Sequence, residues 1–213
     1  MYLPAAFSSF NPQHALRIMR EHPLAHLIAV DESGFPMVSH CPLHVAQLNE
    51  EGAPAVLSGH LAAHNPQVPP LKQQGRALVT FMGPQAYMSP AVYPDLQRVP
   101  TWSYLAVHAQ VSVRWLDEQA AKDALLKQLI ADHEPPYAQQ WRRLPEEYTD
   151  TMLRHIVAFE LDIEVLQTAL KLNQHRPQSH AAMHERWSQG NAEEQALARW
   201  MRDLGLLEGH HAG

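Results

Sequence analysis

Cysteine, charged side chains and long apolar runs are all scarce in this sequence of 213 residues. The single Cys41 excludes an intramolecular disulfide and a cysteine-rich zinc site. No apolar run approaches the ~20 residues that span a bilayer, and no basic leader segment opens the chain. These absences predict a soluble protein of the cytoplasm without membrane contact.

Basic charge is also in short supply. The chain carries 16 Lys and Arg against 22 Asp and Glu, which gives a net charge of −6. Residues 1–116 balance six basic against six acidic groups, so the excess of acid lies within 117–213. Binding to a phosphate backbone needs a basic surface, and no helix-turn-helix pattern is evident. Direct DNA binding is therefore doubtful on sequence grounds.

The common nucleotide-binding and hydrolase motifs are missing. The sequence contains no G-x-x-x-x-G-K-[ST], no G-x-G-x-x-G and no G-x-S-x-G. The pair His184-Glu185 lacks the second histidine of a zincin helix. A P-loop enzyme, a Rossmann dehydrogenase and an α/β-hydrolase are all disfavoured.

Histidine is abundant by contrast, with 15 residues scattered through both halves of the chain. His40 and His44 could share a strand face, and His180 and His184 are one helical turn apart. Either pair could supply half of a zinc or nickel site, but neither has a carboxylate or histidine partner at local spacing. We therefore predict no metal site, and interpret the histidines as surface and satisfied core residues.

Short apolar runs separated by turn residues predict six or seven strands, with helices between and after them. The predicted strands are 24–30, 35–45, 55–59, 76–82, 101–115 and 156–166. Helices are predicted from Asn11-Pro12 to residue 22, from Asn65-Pro66 to about 73, after Asp117, after Pro145 and across 179–207. Gly83-Pro84 is expected to end a strand and open a proline-rich loop. Alternating βαβ units are absent, so a small β-barrel in a mainly β (α+β) fold is favoured over a parallel sheet.

Residues 1–176 are predicted to form a barrel domain, and residues 177–213 a helical extension that follows it. Asn191 followed by Glu194 has the outline of a capping box. Leu197, Trp200 and Met201 form an apolar stripe behind it. The stripe must be buried, so the extension is expected to pack on the barrel or on a dimer partner.

Four segments combine residue types that could line a binding site. The first turns from a strand into a helix N-terminus, which favours anions. The others combine aromatic, hydroxyl, amide and cationic side chains at strand ends. The four segments are 59–66 (GHLAAHNP), 81–90 (FMGPQAYMSP), 99–104 (VPTWSY) and 171–176 (KLNQHR).

In their residues and in their order along the chain, these segments and the opening MYLP resemble the PaiB family of FMN-binding negative transcriptional regulators. The likeness covers about residues 1–176. It implies an FMN-binding split β-barrel of antiparallel Greek-key type, as in pyridoxamine-phosphate oxidases and flavin reductase-like proteins. It also implies FMN as the cofactor and a homodimer with the flavin at the subunit interface.

The resemblance assigns expected roles to individual residues. Those expected to hold FMN are Gly59, His60, Ala62, Thr101, Trp102, Ser103, Lys171, Gln174, Arg176 and, on the second strand, His40. Tyr87 and Ser89 are expected to face whatever approaches the flavin. Ser103, Asn173, His175 and Val111 depart from the family's usual Asn, Ser, Asn and Gly, so the contacts are expected to differ in detail.

Three functions remain open at this stage. The first is a flavin-binding regulator that acts indirectly, through flavin redox state or a partner protein. The alternative is an FMN-dependent oxidoreductase acting on a small molecule, where the cofactor supplies the chemistry. The third is a binding module that kept the barrel and lost the flavin.

Overall fold

The structure is a computed structural model that describes residues 1–95 and 97–207. Eight strands form one sheet in which every pair is antiparallel. They are β1 (Ser8–Ser9), β2 (Leu24–Val30), β3 (Pro36–Pro42), β4 (His44–Leu48), β5 (Pro54–Ala62), β6 (Arg76–Met88), β7 (Thr101–Leu116) and β8 (Ile156–Lys171). The order across the sheet is β3-β2-β6-β7-β8-β5-β4, and β1 pairs with β8. Because β5 lies beside β8 instead of β6, the topology is a Greek key, as expected.

Seven α-helices lie around this sheet in the described part of the chain. They are α1 (Pro12–Glu21), α2 (Val68–Gln74), α3 (Gln119–His133), α4 (Ala138–Trp141), α5 (Glu146–Arg154), α6 (His180–Ser188) and α7 (Ala192–Asp203). The mainly β architecture with peripheral and C-terminal helices is confirmed. In the described ranges no helix combines the length and apolar character needed to cross a membrane.

The sheet curls so that strands from its two ends touch. The thiol of Cys41 on β3 lies 3.4 Å from the carbonyl oxygen of His60 on β5, and Asn65 Nδ2 donates to Ser39 Oγ at 3.0 Å. Burial raises the pKa of the Cys41 thiol to about 12, so this group is an inert part of the barrel core.

The first helix begins as predicted. The Asn11 side chain accepts a hydrogen bond from the backbone N–H of Gln13 at 3.0 Å, with Pro12 at the first helical position. Its apolar face, which includes Ile18 and Met19, is fully buried in the barrel core.

The prediction that Gly83-Pro84 ends a strand is wrong. Strand β6 continues to Met88, and its register with β7 shifts between Met82 and Gln85. A β-bulge tolerates both a proline without N–H and a glycine in close packing. At Gly83 a Cβ would lie 3.1 Å from Leu105 Cβ, so the bulge fits tightly against β7.

Other strand boundaries also differ from prediction, and β5 continues past the predicted end at Gly59 to Ala62. The run 35–45 is two strands, β3 and β4, which are interrupted at Leu43. The last strand continues past residue 166 to Lys171, because β7 and β1 offer it hydrogen-bonding partners over that length. Its polar C-terminal half gives a weak strand signal in the sequence.

The C-terminal helices pack on the barrel as far as residue 207, where the described part ends; residues 208–213 of the predicted extension lie outside it. The capping box is present: Asn191 Oδ1 accepts from Glu194 N–H at 3.0 Å, and Glu194 Oε2 accepts from Asn191 N–H at 2.9 Å. Trp200 is 2% exposed, with the Arg17 guanidinium 4.0 Å from its ring. Arg17 also pairs with Asp203 at 2.7 Å, so α7 is anchored to α1.

Candidate functional site

A cleft of about 370 Å³ opens where the start of β7 meets the end of β8. One wall is formed by loop residues 89–95 and 97–100, and another by the last residue of β8, Lys171, with the turn of residues 172–176. The cleft is lined by Phe7, Met88, Tyr93, Gln97, Arg98, Val99, Thr101, Ser103, Lys171, Asn173, His175 and Arg176. Four of these residues, Thr101, Ser103, Lys171 and Arg176, were predicted site residues.

Two of the cleft's cations have no acidic partner among the described residues. Lys171 Nζ donates to Thr101 Oγ1 at 3.0 Å and lies 5.4 Å from the ring centre of Tyr104. Neither Lys171 nor Arg176 forms a salt bridge within residues 1–95 and 97–207. Positive charge held together in a concave site favours an anionic ligand.

The sequence argument missed a third cation, Arg98. Its guanidinium pairs with Asp95 at 2.7 Å and lies 5.2 Å from the ring centre of Tyr93. The Tyr93 hydroxyl donates to Asn173 Oδ1 at 3.2 Å, which ties the loop to the turn. Arg98 Nε is buried with no hydrogen-bond partner in the described structure. The only sequence signal was a basic residue directly before the motif VPTW.

The turn after β8 is held from behind by the C-terminal helices. Asn173 has a left-handed backbone, φ 62°, which asparagine adopts more readily than most other residues. Its Nδ2 donates to Ser179 Oγ at 2.7 Å, and its carbonyl oxygen lies 3.0 Å from His180 Nε2. Gln174 Oε1 accepts from Leu172 N–H at 3.0 Å, so Gln174 shapes the turn and does not line the cleft.

At neutral pH the cleft's charge comes from Lys171 and the two arginines, because burial, helped by the nearby Arg176 and His180, lowers the pKa of His175. The His175 ring packs edge-on against Phe7 at 5.4 Å. Deeper in the cleft, buried Ser103 Oγ lies 3.8 Å from Met88 Sδ.

Two predicted aromatic residues lie beside the cleft, on the other side of the β6–β7 pair from Ser103. Tyr87 and Trp102 are cross-strand partners whose rings meet edge-on at 6.3 Å, with 47% and 54% of their surfaces exposed. Ser89 Oγ accepts from Ala91 N–H at 3.2 Å and so caps the start of the loop. These side chains are open to an incoming molecule.

The residues predicted from the first segment lie elsewhere. Gly59 sits beneath Leu43, where a Cβ would be 2.5 Å from Leu43 Cδ2, so glycine is needed here for barrel packing. His60 is half-buried, and this burial lowers its pKa. Ala62 is exposed at the strand end. The helix α2 starts at Val68 instead of Pro66, because Asn65 Oδ1 accepts from Gln67 N–H at 2.8 Å in a turn of its own.

Within one chain, the strand register separates the predicted residues near His60 from the predicted residues that line the cleft. His60 pairs with Ala158, and Lys171 lies at the opposite end of the same strand β8. At ~3.3 Å per residue, His60 and Lys171 are about 43 Å apart along that strand. Within one chain the two groups therefore lie at opposite ends of β8. His40 belongs to neither group; it lies on β3 with its ring 4.7 Å from that of His26.

The family model described as "Putative FMN-binding domain" matches residues 1–165. The chain belongs to this family. FMN is therefore the cofactor that the fold is built to hold, and the barrel is the split β-barrel of flavoproteins.

Relatives span most of this FMN-binding chain. It is 30% identical over 178 residues to the protease synthase and sporulation protein PAI 2 of Bacillus subtilis, covering 83% of each sequence. An uncharacterized protein of Emericella nidulans is 26% identical over 212 residues, with 82% of this chain and 84% of that protein covered.

Solved structures share the fold at low sequence identity. The flavocytochrome Anf3 from Azotobacter vinelandii superposes with a TM-score of 0.60 at 12% identity, covering 78% of this chain and 70% of that chain. An FAD and heme binding protein from Mycobacterium smegmatis gives 0.58 at 15% identity, covering 78% and 74%.

The cleft's chemistry fits FMN. A flavin phosphate needs cations and N–H or O–H donors, which Lys171, Arg176, Arg98 and Thr101 provide. The unpaired Nε of Arg98 is a donor that an anion could satisfy. Trp102 is not part of this lining, because its partly exposed ring lies on the other side of the β6–β7 pair.

We expect the double variant Lys171→Ala/Arg176→Ala to retain less than a tenth of the wild-type FMN after gel filtration. The loss follows because both cations lack acidic partners and are free to neutralise a phosphate. Flavin absorbance per subunit measures retention, and circular dichroism checks that the barrel is folded. Arg98→Ala should weaken retention to a smaller extent, since Asp95 already shares its charge.

The matched control is Lys127→Ala/Arg199→Ala, which removes the same charge from exposed helix positions. It should retain FMN at the wild-type level. Equal retention by the cleft variant and this control would remove Lys171 and Arg176 from the site.

Proposed function

We propose that the protein is a PaiB-type flavin-binding regulator that acts indirectly, and that two copies of the chain build each FMN site. The observation that carries the proposal is the separation of His60 from Lys171 along β8. Both segments belong to the predicted flavin site, yet the register places them at opposite ends of β8 in one chain. A second copy that supplies one of them resolves the conflict.

In this arrangement the cleft of one protomer supplies Lys171, Arg176 and Thr101, and its partner supplies the strand end at His60. Trp102 and Tyr87 lie beside the cleft on the other side of the β6–β7 pair, half exposed, where a partner would cover them. FMN supplies hydride or electron chemistry when bound. The residues of this chain bind it, orient it and limit the access of water.

Subunit mixing tests the shared site. His60→Ala and Lys171→Ala/Arg176→Ala chains, each unable to hold flavin as a homodimer, are co-expressed with different tags and the mixed dimer is isolated. One of the two sites in each mixed dimer then contains no substitution, so the isolated mixed dimer recovers about half of the wild-type flavin and an unsorted mixture about a quarter.

The control is co-expression of two differently tagged Lys171→Ala/Arg176→Ala chains, which damages every site and should recover less than a tenth of the wild-type flavin. If the His60 and Lys171 variants also fail to complement each other while remaining dimeric, the two segments do not meet at one flavin.

The regulatory role is proposed to be indirect because the chain is acidic, with a net charge of −6. The cations of the cleft are committed to a ligand instead of forming an exposed basic stripe. A regulator of this kind would respond to flavin state and pass the signal to a partner protein.

We expect the FMN-loaded protein to enrich no fragment from sheared genomic DNA, whether the salt is about 50 mM or about 200 mM. A fragment captured tightly at the lower concentration and released at the higher one would demonstrate direct phosphate contacts and contradict the indirect route.

An FMN-dependent oxidoreductase is the second candidate. The exposure of Tyr87 and Trp102 beside the cleft favours it, because a small molecule could approach a flavin held there. This function requires no acid–base pair, since the cofactor carries the reaction.

Anaerobic mixing with NADH or NADPH distinguishes the two candidates. The regulator proposal predicts bleaching of the flavin no faster than that of free FMN at equal concentration. Bleaching that saturates with nicotinamide concentration, and that Trp102→Ala reduces more than tenfold without loss of FMN, would favour the enzyme.

A further inference from the structure

Helix α3 covers the outer side of β4 and β5 without packing closely against them. Of its residues, all within the described range, only Leu125 is buried, at 9% exposure. Two cavities of about 610 and 300 Å³ lie along its inner side, and His44, Ala46 and Gln128 line both of them. We call the two together the α3 cavity. Small-molecule sites in proteins typically occupy about 300 to 1,000 Å³, so this space has room for a ligand.

The inner side of α3 turns polar where a packed helix would be apolar. Ala121, Ala124 and Leu125 line the smaller cavity from the first half of the helix. Gln128 and Asp132 continue the same face at helical spacing and line the larger cavity. Asp132 also lies in the last turn, where the helix dipole disfavours a carboxylate. Departures from local rules of this kind are expected at functional positions.

Both oxygens of the Asp132 carboxylate are engaged inside the cavity. Gln128 Nε2 donates to Oδ1 at 3.0 Å, and Nδ1 of His44 on β4 lies against Oδ2. A hydrogen on Nδ1 that is directed at the carboxylate leaves Nε2 of the neutral ring as an acceptor. Within the described residues this Nε2 has no hydrogen-bond partner. The pair therefore presents one oriented acceptor to whatever enters the cavity.

The charge that remains available in the cavity is positive. The exposed Arg20, in the last turn of α1, lines the larger cavity and forms no salt bridge within residues 1–95 and 97–207. The carboxylates already have partners, because Asp132 faces His44 and Glu160 pairs with Arg114 at 2.5 Å. A guanidinium with free donors favours a carboxylate or another planar anion.

The other wall of the larger cavity is apolar. Met19, Leu43 and Val45 are at most 9% exposed and line it together with Leu129 of α3. Apolar walls with a few placed polar groups are the usual composition of a site for a small organic molecule. The flat, buried side chains of this wall suit a ring.

The α3 cavity is separate from the cleft described above. Ser58, which lines the smaller cavity, pairs with Glu160 on β8, whereas Lys171 is the last residue of that strand. At ~3.3 Å per residue the two positions are about 36 Å apart along β8. His60 lines neither part of the α3 cavity. The cavity therefore belongs to neither half of the proposed flavin site.

We propose that the α3 cavity binds a small hydroxylated aromatic carboxylate. The carboxylate of the ligand pairs with Arg20, its ring packs against the apolar wall, and its hydroxyl donates to His44 Nε2. Asp132 and Gln128 are positioning residues, because they act through His44. The inference goes beyond the proposed function and does not depend on it, since no part of this site requires bound flavin.

Isothermal titration calorimetry of the FMN-loaded protein with each isomer of hydroxybenzoate tests the proposal. At least one isomer should bind with a dissociation constant of about 1 mM or below. Benzoate should bind at least about tenfold more weakly than that isomer, because it leaves His44 Nε2 without a donor. If no isomer binds, or if benzoate binds equally well, the inference is wrong.

Variants of the lining residues locate the binding. Arg20→Gln should weaken it at least about tenfold, since the charged partner of the carboxylate is lost. Leu129→Trp should abolish it by filling the cavity while every polar group remains. The matched control Arg186→Gln removes an exposed arginine from the last turn of α6 and should bind as the wild type does. Unchanged binding by Arg20→Gln and Leu129→Trp, with thermal unfolding showing both to be folded, would overturn the inference.

The variant Lys171→Ala/Arg176→Ala separates this site from the flavin cleft. It should bind hydroxybenzoate like the wild type while it loses FMN. Binding that disappears in this variant and survives in Arg20→Gln would place the carboxylate in the cleft and contradict the α3 site. Failure of the wild type to retain FMN would contradict the flavin site but not the α3 site.

Discussion

The pairing of β7 with β8 is the constraint on which the rest of the structure depends. The two strands are in register from Tyr104 opposite Lys171 to Leu116 opposite Ala158, with one irregularity near Gln110. Because the pairing is antiparallel, the end of β8 meets the start of β7. Residues 70 positions apart in sequence, Thr101 and Lys171, thereby come within hydrogen-bonding distance. His60 on β5 pairs with Ala158 near the start of β8. The cleft, which lies at the end of β8, is therefore held apart from the end of β5 at His60.

Local signals in the sequence were sufficient where a single short-range interaction decides the structure. The Asn11 and Asn191 caps are such cases, because each side chain bonds to a backbone N–H two or three residues away. The small antiparallel barrel also follows from the spacing of turns and apolar runs. Gly83-Pro84 misled the local argument because a bulge against β7 accommodates both residues, and that neighbour is set by the tertiary fold.

The candidate site was predictable only in part for a similar reason. The motif residues Thr101, Ser103, Lys171 and Arg176 do line one cleft, as family resemblance suggested. Arg98 and Tyr93 join them only because the loop folds back and Tyr93 reaches Asn173. No spacing rule connects those positions. Gln174 belongs to the right segment, but its side chain is used to close the turn.

The cleft keeps unpaired cations close together before any ligand arrives, and mutual repulsion makes such an arrangement costly. The scaffold around it is correspondingly rigid. Asn173 has a left-handed backbone. The buried residues Ser179 and His180 form hydrogen bonds to it from the start of the C-terminal helices. Those helices are in turn fixed to α1 through Arg17, Trp200 and Asp203. Preorganised charge of this kind lowers the cost of ordering the site when an anion binds.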